Sequence, residues 1–244
     1  MADPRQTALV TGCSAGGIGH SIAREFNSRG VRTFATVRNK VSFPDDLTAE
    51  GIEGISLTVD DPESVRQCFE EVERLTGGKG LDFLVNNAGR NYTVPALDID
   101  MSEVQGVFDT NVFGVMRMCQ VFSPLLIKAK GTIVQTGSLA GVMPYVFGSV
   151  YNASKAALHA YSNTLRVELA PFGVKVVTVV TGGVKTSAKT LAREFDEERR
   201  LCTERRGPGD EGDREKVDLG RAHELGSMVR DDLVTNGTYR YVDD

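Results

Sequence analysis

Two residues of this chain, Tyr151 and Lys155, could together move a proton. They lie four positions apart in Tyr-Asn-Ala-Ser-Lys, so a helix would place both on one face. A free phenol titrates near about 10, and a neighbouring ammonium lowers that pKa. Such a phenol could donate or accept a proton near neutral pH, as carbonyl reduction requires. Ser138, thirteen residues upstream, could hydrogen-bond the oxygen whose charge changes in the same step.

The elements that must position these residues alternate along the chain. Short apolar segments predict strands at residues 8–11, 31–37, 54–59, 81–86, 131–137 and 174–180. Helical patterns run from the first strand to about residue 29 and over residues 62–75, 102–130 and 151–170, and Pro124 should kink or break the third of these. This alternation predicts an α/β fold with a doubly wound parallel sheet flanked by helices. The last strand is almost entirely apolar, which predicts burial on both faces.

We expect a single domain, whose nucleotide-binding and catalytic part covers residues 1–190. The composition changes beyond that point, because 16 of the 25 residues at 192–216 are charged. This charge argues against burial. Residues 191–244 are therefore expected to add a charged segment, either a substrate flap or a solvated helix. A helix near residues 219–233 and an edge strand near residues 239–242 would follow.

Composition excludes several classes of protein. The 244 residues carry a net charge of −5, which gives no sign of nucleic-acid or anionic-membrane binding. Four cysteines without metal-like spacing predict no metal site and indicate reduced thiols in a cytoplasmic protein. The amino terminus shows no signal-peptide pattern. No stretch approaches about 18 uncharged apolar residues, so we expect no membrane span.

A glycine-rich turn, Thr-Gly-Cys-Ser-Ala-Gly-Gly-Ile-Gly at residues 11–19, separates the first strand from the first helix. Glycines allow a tight turn and close approach to a ligand, and a helix amino terminus offers unpaired N–H groups to an anion. The turn therefore predicts nucleotide binding. The cofactor-binding residues predicted here are Gly12, Ser14, Gly17, Ile18 and Gly19.

The end of the second strand predicts the choice of dinucleotide. An acidic residue there would suit the ribose hydroxyls of NAD, whereas a basic residue accommodates the 2′-phosphate of NADP. The chain has Thr36-Val-Arg38-Asn-Lys and no acid, and a guanidinium fits a phosphate. We therefore expect NADP(H), with Thr36 and Arg38 in contact with it. The alternative is that Arg38 is an ordinary exposed residue.

The order and spacing of six motifs resemble those of the classical short-chain dehydrogenases/reductases over residues 7–186. The motifs are the glycine-rich turn, Asn-Asn-Ala-Gly at 86–89, Asn111 in Thr-Asn-Val-Phe-Gly, Ser138 in Thr-Gly-Ser, Tyr151 with Lys155, and Thr-Gly-Gly-Val-Lys-Thr at 181–186. Segments around residues 127–141 and 147–149 also resemble the fungal branch of NADPH-dependent 1-acyldihydroxyacetone-phosphate reductases. The resemblance implies a Rossmann fold and a homodimer or homotetramer.

The resemblance also implies a role for each matching residue. Tyr151 would be the catalytic acid/base, Lys155 would lower its pKa and bind the nicotinamide ribose, and Ser138 would contact the substrate carbonyl. Asn111 would hold a water in a proton relay to Lys155. The remaining cofactor contacts would be Thr58, Val59, Asn87, Ala88, Gly89, Val184 and Thr186. Two departures stand out: the glycine-rich turn has one extra residue, which should bulge at residues 15–16, and Thr58 stands where the family usually has an aspartate.

The expected activity is NADPH-dependent reduction of a ketone or aldehyde, or the reverse oxidation of an alcohol. Two alternatives remain open: an isomerase, dehydratase or cyclisation catalyst of the same fold, and a non-catalytic cofactor-sensing module. The substrate is a small carbonyl or alcohol, and both lipid intermediates and specialised metabolites fit. Tyr145 is expected to line the substrate pocket and Tyr161 to pack in the core. His20, His159 and His223 are expected to take no part in the chemistry.

Overall fold

The computed structural model describes residues 4–184. Its strands are β1 (Thr7–Val10), β2 (Arg32–Val37), β3 (Glu53–Ser56), β4 (Phe83–Asn86), β5 (Thr132–Thr136) and β6 (Lys175–Val179). They form one parallel sheet in the order β3-β2-β1-β4-β5-β6. The predicted doubly wound parallel sheet is confirmed. Because the strand order reverses between β1 and β4, a crevice opens at their carboxyl ends, where such folds bind ligands. Thr186 and the segment 191–244 lie outside the described residues.

Helices cover both faces of the sheet. They are α1 (Ile18–Ser28), α2 (Asp45–Ala49), α3 (Pro62–Thr76), α4 (Met101–Phe108), α5 (Val115–Ala129) and α6 (Ser149–Leu169). On one face, Leu9, Leu84 and Ile133 pack in a core with Met118 and Phe122 of α5. On the other face, a smaller core joins Val10 and Val85 to residues of α1 and α2. Strand side chains are therefore apolar in both directions, as in parallel sheets generally.

Pro124 lies inside α5 and does not end it, so of the two outcomes expected here the break is wrong and the kink stays a prediction. A proline inside a helix leaves the carbonyl four residues earlier without its donor. That carbonyl belongs to Gln120, and the Ser123 hydroxyl donates to it at 2.8 Å. The flanking side chains Phe122 and Leu125 are buried, so core packing also favours the continuous helix. The irregularity lies upstream instead, where Asp109–Gly114 is a π-helix between α4 and α5.

The continuous helix Met101–Ala129 is long and apolar enough to cross a membrane by length and composition, with a mean hydropathy of 1.3 over its most apolar window. Arg117 and scattered polar residues interrupt this helix, so it contains no run of about 18 uncharged apolar residues, although its average hydropathy is that of a candidate span. The expected absence of a membrane span stays a prediction. Length and composition do not separate a span from a core helix. In this chain Met118, Phe122 and Leu126 of the helix are fully buried against the sheet.

Strand β6 differs from its prediction as well. Val176 is buried, but Val177 and Val179 are 46% and 42% exposed. The strand stands at the edge of the sheet formed by the described residues, and α6 packs on it. Burial on both faces, expected from the apolar sequence, is therefore wrong for β6 in this part of the chain.

Candidate active site

The glycine-rich turn packs closely, backbone against backbone, on the residues that follow β4. Gly12 has a φ of +72°, and a Cβ on it would lie 2.9 Å from the Cα of Ala88. A Cβ on Gly19 would lie 2.5 Å from both the Gly12 carbonyl oxygen and Asn87 Nδ2. Asn87 Nδ2 in turn donates to the carbonyl oxygens of Thr11 and Gly12, at 2.8 and 3.1 Å. Only glycine fits at these two positions without displacing the turn.

The extra residue of the turn is accommodated where the sequence predicts a bulge. The Gly17 N–H donates to the Ser14 carbonyl oxygen at 3.0 Å across residues 15 and 16, and Gly16 has a φ of +70°. Helix α1 then begins at Ile18 without a side-chain cap and without an acidic residue in its first turn. The unpaired N–H groups and the positive end of the helix dipole therefore suit an anionic group.

A cleft of about 740 Å³ opens beside this turn. The predicted cofactor residues that line it are Gly12, Ser14, Gly17, Ile18, Thr36, Arg38, Thr58, Val59, Asn87, Ala88 and Gly89. Asp60, Arg90 and Thr110 line it too and were not predicted; Arg90 directly follows the Asn-Asn-Ala-Gly motif, the one signal that could have indicated it. Gly19, Tyr151, Lys155 and Val184 are not among the lining residues, and Thr186 is not described.

The second strand contributes two buried residues, Thr36 and Val37, to the cleft, and the exposed Arg38 follows them. Thr36 is buried; its hydroxyl accepts the Gly12 N–H at 3.3 Å and its carbonyl accepts the Cys13 N–H at 2.8 Å. Thr36 therefore supports the glycine-rich turn from behind. Arg38 is exposed at the rim, and its guanidinium has no ion-pair partner within residues 4–184.

The loop after β3 is fixed by contacts with two helices. The Thr58 N–H donates to Ser64 Oγ at 2.9 Å. The Val59 carbonyl accepts a hydrogen bond from Arg117 of α5 at 2.9 Å. Gly114 allows this approach, because a Cβ on it would lie 2.9 Å from Val59 Cγ2. These contacts fix the backbone of Thr58 and Val59 where it faces the cleft.

The residues predicted to transfer a proton meet at the carboxyl end of β5. Tyr151 and Lys155 share a face of α6, and Lys155 Nζ lies 5.6 Å from the centre of the Tyr151 ring. Ser138 lies close enough to the Tyr151 side chain to lower the pKa of the phenol. Lys155 is only 5% exposed, and its ammonium donates to the Thr136 carbonyl oxygen at 2.8 Å. A Cβ on Gly89 would stand 4.0 Å from Lys155 Nζ, so this cluster adjoins the cleft.

The pKa values of the pair differ from the expectation. Burial raises the pKa of the Tyr151 phenol above its ordinary value, and the nearby Ser138 only partly opposes this. The pKa of the phenol is therefore raised overall and not lowered as expected, because desolvation outweighs the effect of an ammonium whose hydrogen bond goes to Thr136. Burial lowers the pKa of Lys155 to about 8. At neutral pH the phenol thus keeps its proton and the lysine is mostly charged.

Asn111 occupies the π-helix, an irregularity that is frequent at functional sites. Its Oδ1 accepts the Arg90 N–H at 2.8 Å, and its Nδ2 donates to the Arg90 carbonyl oxygen at 2.8 Å and to Ser154 Oγ at 3.0 Å. Ser154 donates onward to the Tyr151 carbonyl at 2.8 Å. The Asn111 side chain therefore joins the loop after β4 to α6. Sequence reasoning placed Ser154 near the site but gave it no role, since a serine inside a helix gives no signal of its own.

Four other residues complete the surroundings of the site. Tyr161 packs against the larger core, as predicted. Tyr145 is 45% exposed and Val184 is 51% exposed. His159, which was expected to take no part, accepts the Ser138 N–H on Nε2 at 3.3 Å. Within residues 4–184 no group of three or more histidine, cysteine or acidic side chains could hold a metal ion.

The short-chain dehydrogenase family model matches residues 6–197. This chain therefore belongs to the short-chain dehydrogenase/reductase family, whose members are oxidoreductases. It is 49% identical over 182 residues to the NADPH-dependent 1-acyldihydroxyacetone phosphate reductase of Schizosaccharomyces pombe, covering 75% of this chain and 61% of that protein. It is 51% identical over 187 residues to the short-chain dehydrogenase virD of Hypocrea virens, covering 77% and 64%. The predicted resemblance to this fungal branch is confirmed.

Solved structures agree with this assignment. A short-chain dehydrogenase from Streptomyces avermitilis matches 98% of this chain and 100% of its own, with a TM-score of 0.72 and 26% identity. A metagenomic short-chain oxidoreductase, crystallised in complex with NADP, matches 73% of this chain and 83% of its own, with a TM-score of 0.67 and 31% identity. The chain spans less than two thirds of the length of the two curated relatives.

Proposed function

We propose that this protein reduces a ketone or aldehyde with NADPH, or oxidises the corresponding alcohol. The observation that carries the proposal is the meeting of a protonated Tyr151, the Ser138 hydroxyl and a buried Lys155 ammonium beside the cleft. This is a proton donor, a hydrogen-bonding partner for an oxygen, and a positive charge. The NADPH dependence named for the Schizosaccharomyces relative and the NADP complex of the metagenomic oxidoreductase support the choice of cofactor.

The cleft fits a dinucleotide. Gly12 and Gly19 leave room where a Cβ would collide with the backbone, and the uncapped start of α1 suits a pyrophosphate. Arg38, exposed at the rim without a partner among the described residues, suits a 2′-phosphate. Thr58 and Val59 would flank the adenine, and Asn87 to Gly89 would lie beneath the ribose. When bound, NADPH supplies a hydride to the carbonyl carbon.

The protein's own residues handle the oxygen. The Tyr151 hydroxyl donates its proton to the carbonyl oxygen as that atom gains electrons, which yields the alcohol. The Ser138 hydroxyl donates a hydrogen bond to the same oxygen, so the developing charge is stabilised before the proton arrives. The Lys155 ammonium stabilises the phenolate that remains on Tyr151. The phenolate then regains a proton from solvent, and the site is reset.

The proposal is tested by replacing Tyr151→Phe. We expect NADPH consumption with a panel of ketones and aldehydes to fall roughly 100- to 10,000-fold, because the general acid is gone. The dissociation constant for NADPH should change by less than about twofold, since the phenol hydroxyl acts on the substrate oxygen. Absorbance of NADPH measures turnover, and calorimetry measures binding.

Tyr161→Phe is the matched control, because it removes a phenol hydroxyl from the same helix at a position packed in the core. This variant should keep its turnover. Full activity in Tyr151→Phe would overturn the proposal. Product formed by the unmodified protein without NADPH consumption would instead favour an isomerase or dehydratase.

A further inference from the structure

The backbone around Ser138 is held from two sides. The Gly137 N–H donates to the Val179 carbonyl at 2.8 Å, and the Leu139 N–H donates to the Thr181 carbonyl at 2.9 Å. Both of these acceptors belong to β6 or the residues that follow it. The N–H of Ser138 itself takes a different acceptor, Nε2 of His159, at 3.3 Å. Of these three consecutive N–H groups, the one of Ser138 is therefore bound by a side chain of α6 and not by the neighbouring strand.

The His159 ring fits into a space left by two glycines on either side of Ser138. A Cβ on Gly137 would lie 2.5 Å from His159 Nε2, and a Cβ on Gly141 would lie 2.7 Å from its Cε1. His159 is 8% exposed. It follows Lys155 by one further helical turn, so Tyr151, Lys155 and His159 form a single row on α6.

The chemistry of the ring explains why a polar residue stands here. An Nε2 that accepts an N–H carries a lone pair, so the neutral ring must hold its proton on Nδ1. Burial and the charge of Lys155 lower the pKa of His159, which favours this neutral form. Nδ1 has no hydrogen-bond partner among the described residues, and an unpaired buried N–H is unfavourable. An apolar side chain would fill the same space without burying an unpaired N–H. The histidine differs from such a side chain in offering Nε2 as a hydrogen-bond acceptor.

We propose that His159 is a positioning residue for Ser138. By fixing the Ser138 N–H, it holds the serine where its hydroxyl faces Tyr151 and the substrate oxygen. Ser138 Oγ accepts the Ala140 N–H at 3.1 Å, so the hydroxyl proton remains available for that oxygen. This inference rests on the proposed reductase function for its kinetic consequences, whereas the contact itself can be tested without turnover.

Two nearly isosteric variants separate the acceptor from the packing. His159→Gln keeps an oxygen near the Nε2 position, and His159→Met does not. We expect kcat to fall roughly ten- to a hundredfold in His159→Met, because a small misplacement of a catalytic group is enough to slow the reaction. His159→Gln should keep kcat within about threefold of the unmodified protein, and KM for NADPH should change little in either variant. Equal losses in both variants would show a packing role and overturn the proposal.

The double variant provides a second test. In a Ser138→Ala background, His159→Met should cause no further loss of kcat, because residues that act through one another are not additive. Independent, additive losses would overturn the proposal. Thermal unfolding verifies that each variant is folded.

Hydrogen exchange distinguishes failure of this inference from failure of the proposed function. The Ser138 amide should exchange faster in His159→Met than in His159→Gln, whether or not any carbonyl is reduced. If the unmodified protein shows no reductase activity but this difference is present, the proposed function fails and the contact stands. If the exchange rates are the same in both variants, the contact is absent and the inference fails.

Discussion

The two ends of the crevice are built in opposite ways. At the cofactor end, backbone meets backbone: Gly12 and Gly19 allow contacts that any side chain would prevent, and Asn87 ties the turn to β4. At the proton-transfer end, a charged side chain, Lys155, is buried. The contacts of the first end hold the fold and shape the cleft at the same time. At the second end, the Lys155 ammonium, which we propose to serve the chemistry, opposes stability because its charge is buried.

The pKa of Lys155 determines how its effect on the stability of the fold depends on pH. Burial lowers it from 10.5 to about 8, so the folded protein holds this proton less tightly than the unfolded chain. Between these pH values the unfolded chain binds more protons at this group, so the unfavourable contribution of Lys155 to stability becomes smaller as the pH rises across that window. Below pH 8 the full cost of the buried ammonium is present.

The largest expected effect comes from Lys155→Met, which should separate activity from stability. Turnover should fall roughly 100-fold or more, because the phenolate of Tyr151 loses its stabilising charge. The melting temperature at pH 7 should stay the same or rise, since an apolar side chain replaces a buried charge. Steady-state kinetics and thermal unfolding measure the two quantities.

Lys175→Met is the matched control, because Lys175 is exposed on β6 and should change neither quantity. The stability that Lys155→Met gains over the unmodified protein should shrink as the pH rises from about 8 to 10.5. A variant that loses activity and several degrees of melting temperature together would show that Lys155 stabilises the fold, and the contrast between the two ends would fail.

A smaller effect is expected at the cofactor end, where Gly19→Ala should lower stability and NADPH affinity together. The added Cβ would lie 2.5 Å from the Gly12 carbonyl oxygen, so the turn and α1 must move apart. Overpacking of this kind costs about 1–3 kcal/mol, or a few degrees of melting temperature. Calorimetry with NADPH measures the affinity. Ser21→Ala, at an exposed position of the same helix, should change neither; loss of affinity without loss of stability in Gly19→Ala would contradict this prediction.

The cofactor end was largely predictable from the sequence because its requirements are local. A strand, a glycine-rich turn and a helix follow one another along the chain, and the resemblance to the family's shorter turn indicates the bulge at residues 15–16. The same holds for Tyr151 and Lys155, since helical geometry brings residues four positions apart to one face.

The remaining features depend on contacts between distant parts of the chain. Ser154 and His159 meet Asn111 and Ser138 across 43 and 21 positions, and no local pattern indicates either pair. The raised pKa of Tyr151 depends on burial, which spacing does not report. Pro124 does not break its helix for a similar reason: the Ser123 hydroxyl and core packing offset the loss of its N–H.

The smallest effect is expected for Arg38→Ala, at the rim of the cofactor end. KM for NADPH should rise about tenfold, because one charge-assisted hydrogen bond at an exposed site is partly screened. KM for NADH, which has no 2′-phosphate, should stay unchanged, and so should the melting temperature. Lys40→Ala is the control, since Lys40 is exposed nearby but does not line the cleft. An equal rise in KM for NADPH and NADH would mean that Arg38 does not bind the 2′-phosphate. The expected result would distinguish Arg38 from both ends of the crevice, because its loss would change the preference between NADPH and NADH and leave stability and proton transfer intact.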